Sequence, residues 1–190
     1  MKTGCIILAG GKSSRMGEDK ALLEYDGKQF IEKIAEELSF FNEKIIARGN
    51  NSDLKKIVDQ GWKIISDIYP DHGPMGGLHA ALEQCESDAM FVVTCDMPLI
   101  TAGLAEKVCK ELSDYDAVIV VTDEGKYHPL CGVYRKNIYE YMEKSLEKDC
   151  NRVMEVLKEC YLKYVYLNAD ESRQLMNINT PEEYQKLNKI

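Results

Sequence analysis

Three glycines, two serines and three cations fall within the thirteen residues from Leu8 to Lys20, directly after the apolar run Cys5-Ile6-Ile7-Leu8. Gly10 and Gly11 lack Cβ atoms, so a ring or a phosphate can come close to the backbone there. Free backbone N–H groups in such a turn bind oxyanions. Arg15 and Lys20 add positive charge at fixed offsets in the same loop. Together these features point to polyphosphate binding. Two familiar phosphate loops do not fit. A P-loop ending at Gly11-Lys12-Ser13 would need its first glycine at Ile6. The dinucleotide fingerprint fails because Gly10 and Gly11 are adjacent and Ser13 stands where a glycine belongs. An ordinary strand-to-helix turn is the plain alternative, and the cations weigh against it.

Asp96 follows the buried run Ala89-Met90-Phe91-Val92-Val93-Thr94 at its carboxyl end. Open α/β sheets place ligands at that end. A lone carboxylate suits Mg²⁺, which takes one or two protein oxygens and completes its shell with phosphates and water. Asp96 could instead cap a helix, but Thr101 is better placed to cap the one that follows. Asp67 also sits at a strand end, and a turn role in Asp67-Ile68-Tyr69-Pro70-Asp71 competes with a binding role. The segment Gly73–Leu78 holds three glycines at the start of a helix, where backbone N–H groups are open to a ligand. No Ser/His/Asp or Cys/His arrangement is evident.

The whole chain limits what this loop can serve. Its 190 residues carry a net charge of −8, which argues against a nucleic-acid surface. Residues 1–20 run the other way, with Lys2, Lys12, Arg15 and Lys20 against Glu18 and Asp19. No apolar run approaches the ~20 residues of a membrane span. The short run after Met1-Lys2-Thr3-Gly4 is too brief for a signal-peptide core, so a cytoplasmic location is expected. Seven cysteines without a C-x-x-C pair, several inside apolar runs, read as core thiols.

The elements that must position these residues alternate. Strand-like runs at 4–8, 44–47, 62–65, 89–94 and 117–121 are separated by helix-like stripes. The helices expected between them include 52–59, 77–86 and one carrying Leu104, Ala105, Val108, Cys109 and Leu112. Strands that are apolar along their length imply a mostly parallel sheet with helices on both faces. After residue 122 the pattern changes to an extra strand at 127–134, helices near 136–148 and 151–159, a strand near 162–167 and a last helix from 181. Thr180-Pro181-Glu182-Glu183 carries the capping signals of that helix. One domain over residues 1–190 is expected.

Leu8-Ala9-Gly10-Gly11 with Ser13, Arg15-Met16-Gly17 and Asp19-Lys20 resembles the signature of nucleotidyltransferases with a Rossmann-like, GT-A-type fold, and more narrowly the molybdenum cofactor guanylyltransferases. The resemblance runs through Asp67, Gly73–Leu78, Cys95-Asp96-Met97-Pro98, His128-Pro129 and Asn177-Ile178-Asn179-Thr180-Pro181-Glu182. It implies transfer of GMP from GTP to the terminal phosphate of molybdopterin, with release of pyrophosphate. It implies Lys20 on the α- and β-phosphates, Arg15 on the leaving pyrophosphate and Asp96 on Mg²⁺. Leu8, Ala9, Gly10, Gly11, Asp67 and Gly77 would meet the nucleotide, and Gly10 in place of alanine goes with guanine. Residues 1–122 would hold the nucleotide and 123–190 the pterin. For the pterin, His128, Arg135, Asn177 and Asn179 are candidates, with Asn177 and Asn179 preferred. Other partners implied are molybdoenzymes or further proteins of cofactor assembly, with no nucleic acid and no membrane. A phosphate monoester is mostly dianionic at neutral pH, its second pKa being about 6, so the acceptor needs no general base. Rival expectations are a sugar phosphate or another phosphorylated acceptor, CTP in place of GTP, and a non-catalytic carrier of the cofactor. The resemblance departs at Arg48-Gly49-Asn50, where neither Arg48 nor Asn50 is assigned.

Overall fold

The computed structural model describes residues 1–10, 20–48 and 54–187. Inside its sheet lies β1 (Thr3–Leu8), flanked by β4 (Lys44–Ala47) and β6 (Ala89–Thr94), both parallel to it. β5 (Lys63–Ile65) extends the sheet beyond β4. On the other side come β8 (Tyr127–Arg135), β7 (Ala117–Val121) and β9 (Leu162–Tyr166), giving the order β5-β4-β1-β6-β8-β7-β9. Only β8 runs antiparallel within this sheet. The fold is therefore α/β and mostly parallel, as the apolar strand pattern predicts.

β1 is apolar at successive positions because both faces of the sheet are covered. Cys5 and Ile7 pack on one side against Ile34 and Leu38 of the segment containing α1 (Phe30–Glu37), and against Leu104 and Val108 of α4 (Ala102–Lys110). Ile6 and Leu8 pack on the other against Leu78 and Leu82 of α3 (Gly73–Gln84) and Met142 of α5 (Tyr139–Leu146). Thr101 caps α4, its hydroxyl accepting from the Leu104 N–H at 3.3 Å. The short helices α2 (Lys55–Val58), α6 (Val153–Leu157) and α7 (Ala169–Arg173) lie in the connections, and α8 (Pro181–Leu187) closes the described chain. Among the described residues no helix is long and apolar enough to cross a membrane.

Three features depart from the sequence expectation. First, α3 begins at Gly73 rather than Gly77 and ends at Gln84. Its glycines disfavour helix by propensity, but packing requires the one at Gly76. A Cβ on Gly76 would lie 2.6 Å from the Tyr69 carbonyl oxygen. Secondly, a two-residue hairpin, β2 (Glu24–Tyr25) and β3 (Lys28–Gln29), turns through Asp26 and Gly27, both with positive φ. Leu23 and Phe30 on either side of it pack with Ile178 and Leu187 in a small separate core. Thirdly, β8 is interrupted. Gly132 pairs with Ile119, whereas the next partner, Val120, pairs with His128, so residues 129–131 bulge out of the ladder. Pro129 has no N–H to give a ladder, which suits it to a bulge.

Candidate active site

The β6–β8 ladder stops at the pair Val92 and Gly132, leaving Val93 and Thr94 beyond it. The sheet opens there, between the carboxyl ends of β1 and β6 and the bulge of β8. The resulting cleft has a volume of about 350 Å³. Leu8, Ala9 and Gly10 form one wall, Thr94 to Met97 the floor, and Lys126 to Leu130 the far wall, with Lys20 and Asn177 also lining it.

Backbone hydrogen bonds fix the first wall. The Ala9 N–H donates to the Ala47 carbonyl at 3.0 Å, and the Cys95 N–H donates to the Leu8 carbonyl at 3.0 Å. The strand direction thus continues past β1 to the edge of the cleft. Gly10 is exposed, and among the described residues a Cβ there would find its nearest neighbour, the Ala47 carbonyl oxygen, 3.9 Å away. Among the described residues nothing requires a glycine at that position.

Asp96 is held from three directions. Its Oδ1 accepts the Thr94 hydroxyl at 2.5 Å, and its Oδ2 lies 3.9 Å from Lys20 Nζ. Its backbone carbonyl accepts the Ile178 N–H at 2.9 Å. The last bond straps the segment Asn177–Thr180 onto the end of β6. Lys20 Nζ also donates to Asn179 Oδ1 at 2.5 Å. Glu183 secures the strap from below, its Oε2 accepting the Asn179 N–H at 2.6 Å and the Thr180 N–H at 3.0 Å. Thr180 caps α8 in return, accepting the Glu183 N–H at 3.2 Å. Both charged side chains, Lys20 and Asp96, keep 19% of their surface open.

The remaining residues singled out in the sequence fall into separate places. Asp67 follows β5, and its carboxylate lies against the start of α3. A Cβ on Gly77 would sit 3.3 Å from Asp67 Oδ1 and 3.3 Å from Ala47 Cβ. Burial raises the Asp67 pKa above the usual carboxylate value. Asn177 Oδ1 is buried and has no hydrogen-bond partner among the described residues. His128 belongs to β8, within the strand expected at 127–134, and is 5% exposed. Burial, aided by the Lys126 charge, lowers its pKa to about 4. Arg135 does not belong to this group. It pairs in register with Ala89 at the opposite end of β6, and its guanidinium donates to the Tyr115 and Ser113 carbonyls at 2.9 and 2.6 Å. Gly11 and Arg15 lie outside the described residues.

Thr94 and the β8 bulge are parts of the site that the sequence reading passed over. The Thr94-Cys95-Asp96 spacing carries the signal for the first, since a hydroxyl two residues before a carboxylate at a strand end can turn back onto it. Pro129 and Gly132 inside an otherwise apolar strand carry the signal for the second. Among the described residues no group of three or more His, Cys, Asp or Glu side chains forms a metal cage. The single carboxylate with an open edge fits Mg²⁺, which draws most of its ligands from phosphates and water.

The MobA-like NTP transferase domain matches residues 5–165. A protein of Clostridium perfringens called a probable molybdenum cofactor guanylyltransferase is 36% identical over 195 residues, covering 98% of this chain and 96% of its own. The molybdenum cofactor guanylyltransferase of Vibrio parahaemolyticus is 34% identical over 184 residues, covering 96% and 93%. The crystal structure of molybdopterin-guanine dinucleotide biosynthesis protein A from Archaeoglobus fulgidus superposes with a TM-score of 0.81 at 24% identity, over 100% of this chain and 97% of that one.

Proposed function

The chain belongs to the MobA-like NTP transferases, within the molybdenum cofactor guanylyltransferases, and from that premise we propose that it transfers GMP from GTP to the terminal phosphate of molybdopterin. The products are molybdopterin guanine dinucleotide and pyrophosphate. The observation that carries this reading is the convergence of Lys20, Asp96 and Asn179, from distant parts of the chain, at one rim of one cleft. The relatives do not favour a sugar phosphate acceptor, CTP or a carrier without turnover. We place the reaction in the cytoplasm.

The chain's own groups have defined tasks in this proposal. Leu8, Ala9, Gly10 and Gly11 take the nucleotide against bare backbone. The space left at Gly10, which packing does not demand, supports that role. Asp67 and Gly77 close the nucleotide side near β4, within the part of the chain up to residue 122. Residues 123–190 contribute the acceptor side, with Asn177 and Asn179 as acceptor contacts. Lys20 neutralises the α- and β-phosphates, and Arg15 stabilises the departing pyrophosphate. A guanidinium fork matches phosphate oxygens well. Asn179 Oδ1 and Asp96 Oδ2 hold the Lys20 ammonium in place before any ligand arrives. The Thr94 hydroxyl fixes the plane of the Asp96 carboxylate, which would hold Mg²⁺. When bound, Mg²⁺ supplies positive charge to the phosphate oxygens. No side chain needs to remove a proton from the acceptor, whose terminal phosphate is already ionised. Rate enhancement then rests on in-line positioning and preorganised charge.

The test is to incubate the protein with each nucleoside triphosphate, with and without Mg²⁺, and with molybdopterin. Pyrophosphate release and the mass of the pterin product are followed. A product heavier by GMP, formed with GTP and dependent on the acceptor, supports the proposal. Pyrophosphate release indifferent to molybdopterin overturns it.

A further inference from the structure

The loop between β5 and α3 carries Asp67 and, two residues on, Tyr69. Both are seated on the start of α3. The Asp67 carboxylate lies over Gly76 and Gly77, and the Tyr69 carbonyl oxygen comes so close to Gly76 that a Cβ there would not fit beneath it. The Tyr69 ring stands edge-on to two histidines. His72, just before α3, is 6.1 Å from it between centroids, and His79, within α3, is 5.2 Å from it, each at an interplanar angle of 81°. On its other side His79 meets Tyr139 of α5 edge-on at 6.1 Å. The two histidines differ in their surroundings. His72 is tied locally, with Nδ1 2.9 Å from the Pro70 carbonyl and Nε2 3.4 Å from Asp149 Oδ1. His79 is 1% exposed, and neither of its ring nitrogens has a hydrogen-bond partner among the described residues. Burial lowers its pKa against the pull of the Glu83 and Glu143 carboxylates, so the ring is neutral at pH 7.

Unpaired buried nitrogens cost stability that an aliphatic side chain would not lose. What the imidazole supplies instead is a flat ring. Flat rings meet edge to face at defined distances and angles, which aliphatic groups do not. His79 is not among the described residues that line the cleft, so it acts through its neighbours. Tyr139 braces the imidazole from α5, the imidazole braces Tyr69, and Tyr69 shares its short loop with Asp67. We infer that His79 is a positioning residue for the nucleotide side. Wedged between Tyr139 and Tyr69, it sets the height of the β5–α3 loop over Gly76 and Gly77, and with it the place where the Asp67 carboxylate meets the nucleotide. This inference rests on the proposed function only for the role of Asp67 toward the nucleotide. A misplacement of about 1 Å is enough to impair a positioned contact.

GTP with Mg²⁺ is titrated by calorimetry into the full chain and into His79→Leu, His79→Phe and Tyr69→Leu. The two leucine substitutions are repeated in an Asp67→Ala background. Pyrophosphate release with molybdopterin gives KM and kcat. His79→Leu and Tyr69→Leu should each weaken GTP binding about fivefold, the scale of one lost edge-to-face ring pair. The KM for GTP should rise to match, with kcat unchanged, because the lost contact is one of uniform binding. His79→Phe keeps a flat ring and should restore most of the affinity. In the Asp67→Ala background neither leucine substitution should weaken GTP further, since residues acting through one group are not additive. A role in stability alone would cost the same in both backgrounds. Tyr69→Leu decides the matter if His79→Leu does not fold. GTP affinity equal to wild type in the leucine variants overturns the inference. So does an equal loss in the Asp67→Ala background, a fall in kcat at unchanged KM, or a phenylalanine variant no better than the leucine one. A wild type that binds no GTP overturns this inference and the proposed reaction together. A wild type that binds GTP and shows the expected pattern, yet forms no dinucleotide, sinks the reaction alone and leaves the role of His79 standing.

Discussion

At the scale of single residues, the site is a small set of charges whose geometry is fixed before substrate binds. Lys20→Ala should lower kcat by about a hundredfold, equivalent to ~3 kcal/mol of transition-state stabilisation. Asp96→Asn should do the same, with circular dichroism unchanged in both. Steady-state pyrophosphate release measures the effect, and wild-type turnover in either variant would remove that residue from the machinery. Gly10→Ala separates binding from folding. Its Cβ would stand 3.9 Å from the nearest of the described residues, so the melting temperature should stay within a degree or two. The KM for GTP should rise, because the methyl group occupies the wall against which the nucleotide is proposed to lie. These residues were legible in unequal measure. The glycines and cations of 8–20 stand out because phosphate chemistry needs them close together in sequence. Asp96 stands out because it ends a buried strand. The Lys20–Asn179 contact was not legible, because it joins groups 159 positions apart. Asn179 could be placed near the acceptor only by resemblance, whereas the fold shows its amide oxygen on the Lys20 ammonium.

At the scale of elements, the parallel strands declared themselves because burial on both faces demands unbroken apolar runs. Ile6 and Ile7 point to opposite cores, and a polar residue at either would have blurred the reading. The hairpin Glu24–Gln29 did not declare itself as a pair of strands. Each strand is two residues long, and its one clear signal, Asp26-Gly27, is a turn signal. The bulge in β8 was hidden for a related reason, since periodicity reports a strand but not a slip within it. Gly132 makes that slip testable. Gly132→Ala would drive a methyl group into the β7 backbone, which cannot move as a flexible side chain can. It should destabilise the protein by about 3 kcal/mol or more, read from urea unfolding, in the range of severe core overpacking. An alanine variant with wild-type stability would show that the strand separation there is larger than described.

At the scale of the whole molecule, the buried histidines couple stability to acidity. Between pH ~6.5 and about 4 the unfolded chain binds a proton at His128 that the folded chain excludes. Stability therefore rises with pH through that window and is fully present above it. The loss on acidification from this residue alone reaches about 3 kcal/mol. His79, whose pKa is also lowered by burial, acts in the same direction. Urea midpoints at pH 4.5 and 7 should differ less in His128→Phe than in wild type, and an equal difference would refute the assignment. The strap over Asp96 has a consequence of another kind. During translation the ribosome releases Lys20 and Asp96 well before the asparagine that pins the lysine. A partly made polypeptide can fold its first strands and still lack a working charge cluster. Competence waits for residue 179, and fragments cut short before it should release pyrophosphate more slowly than the full chain.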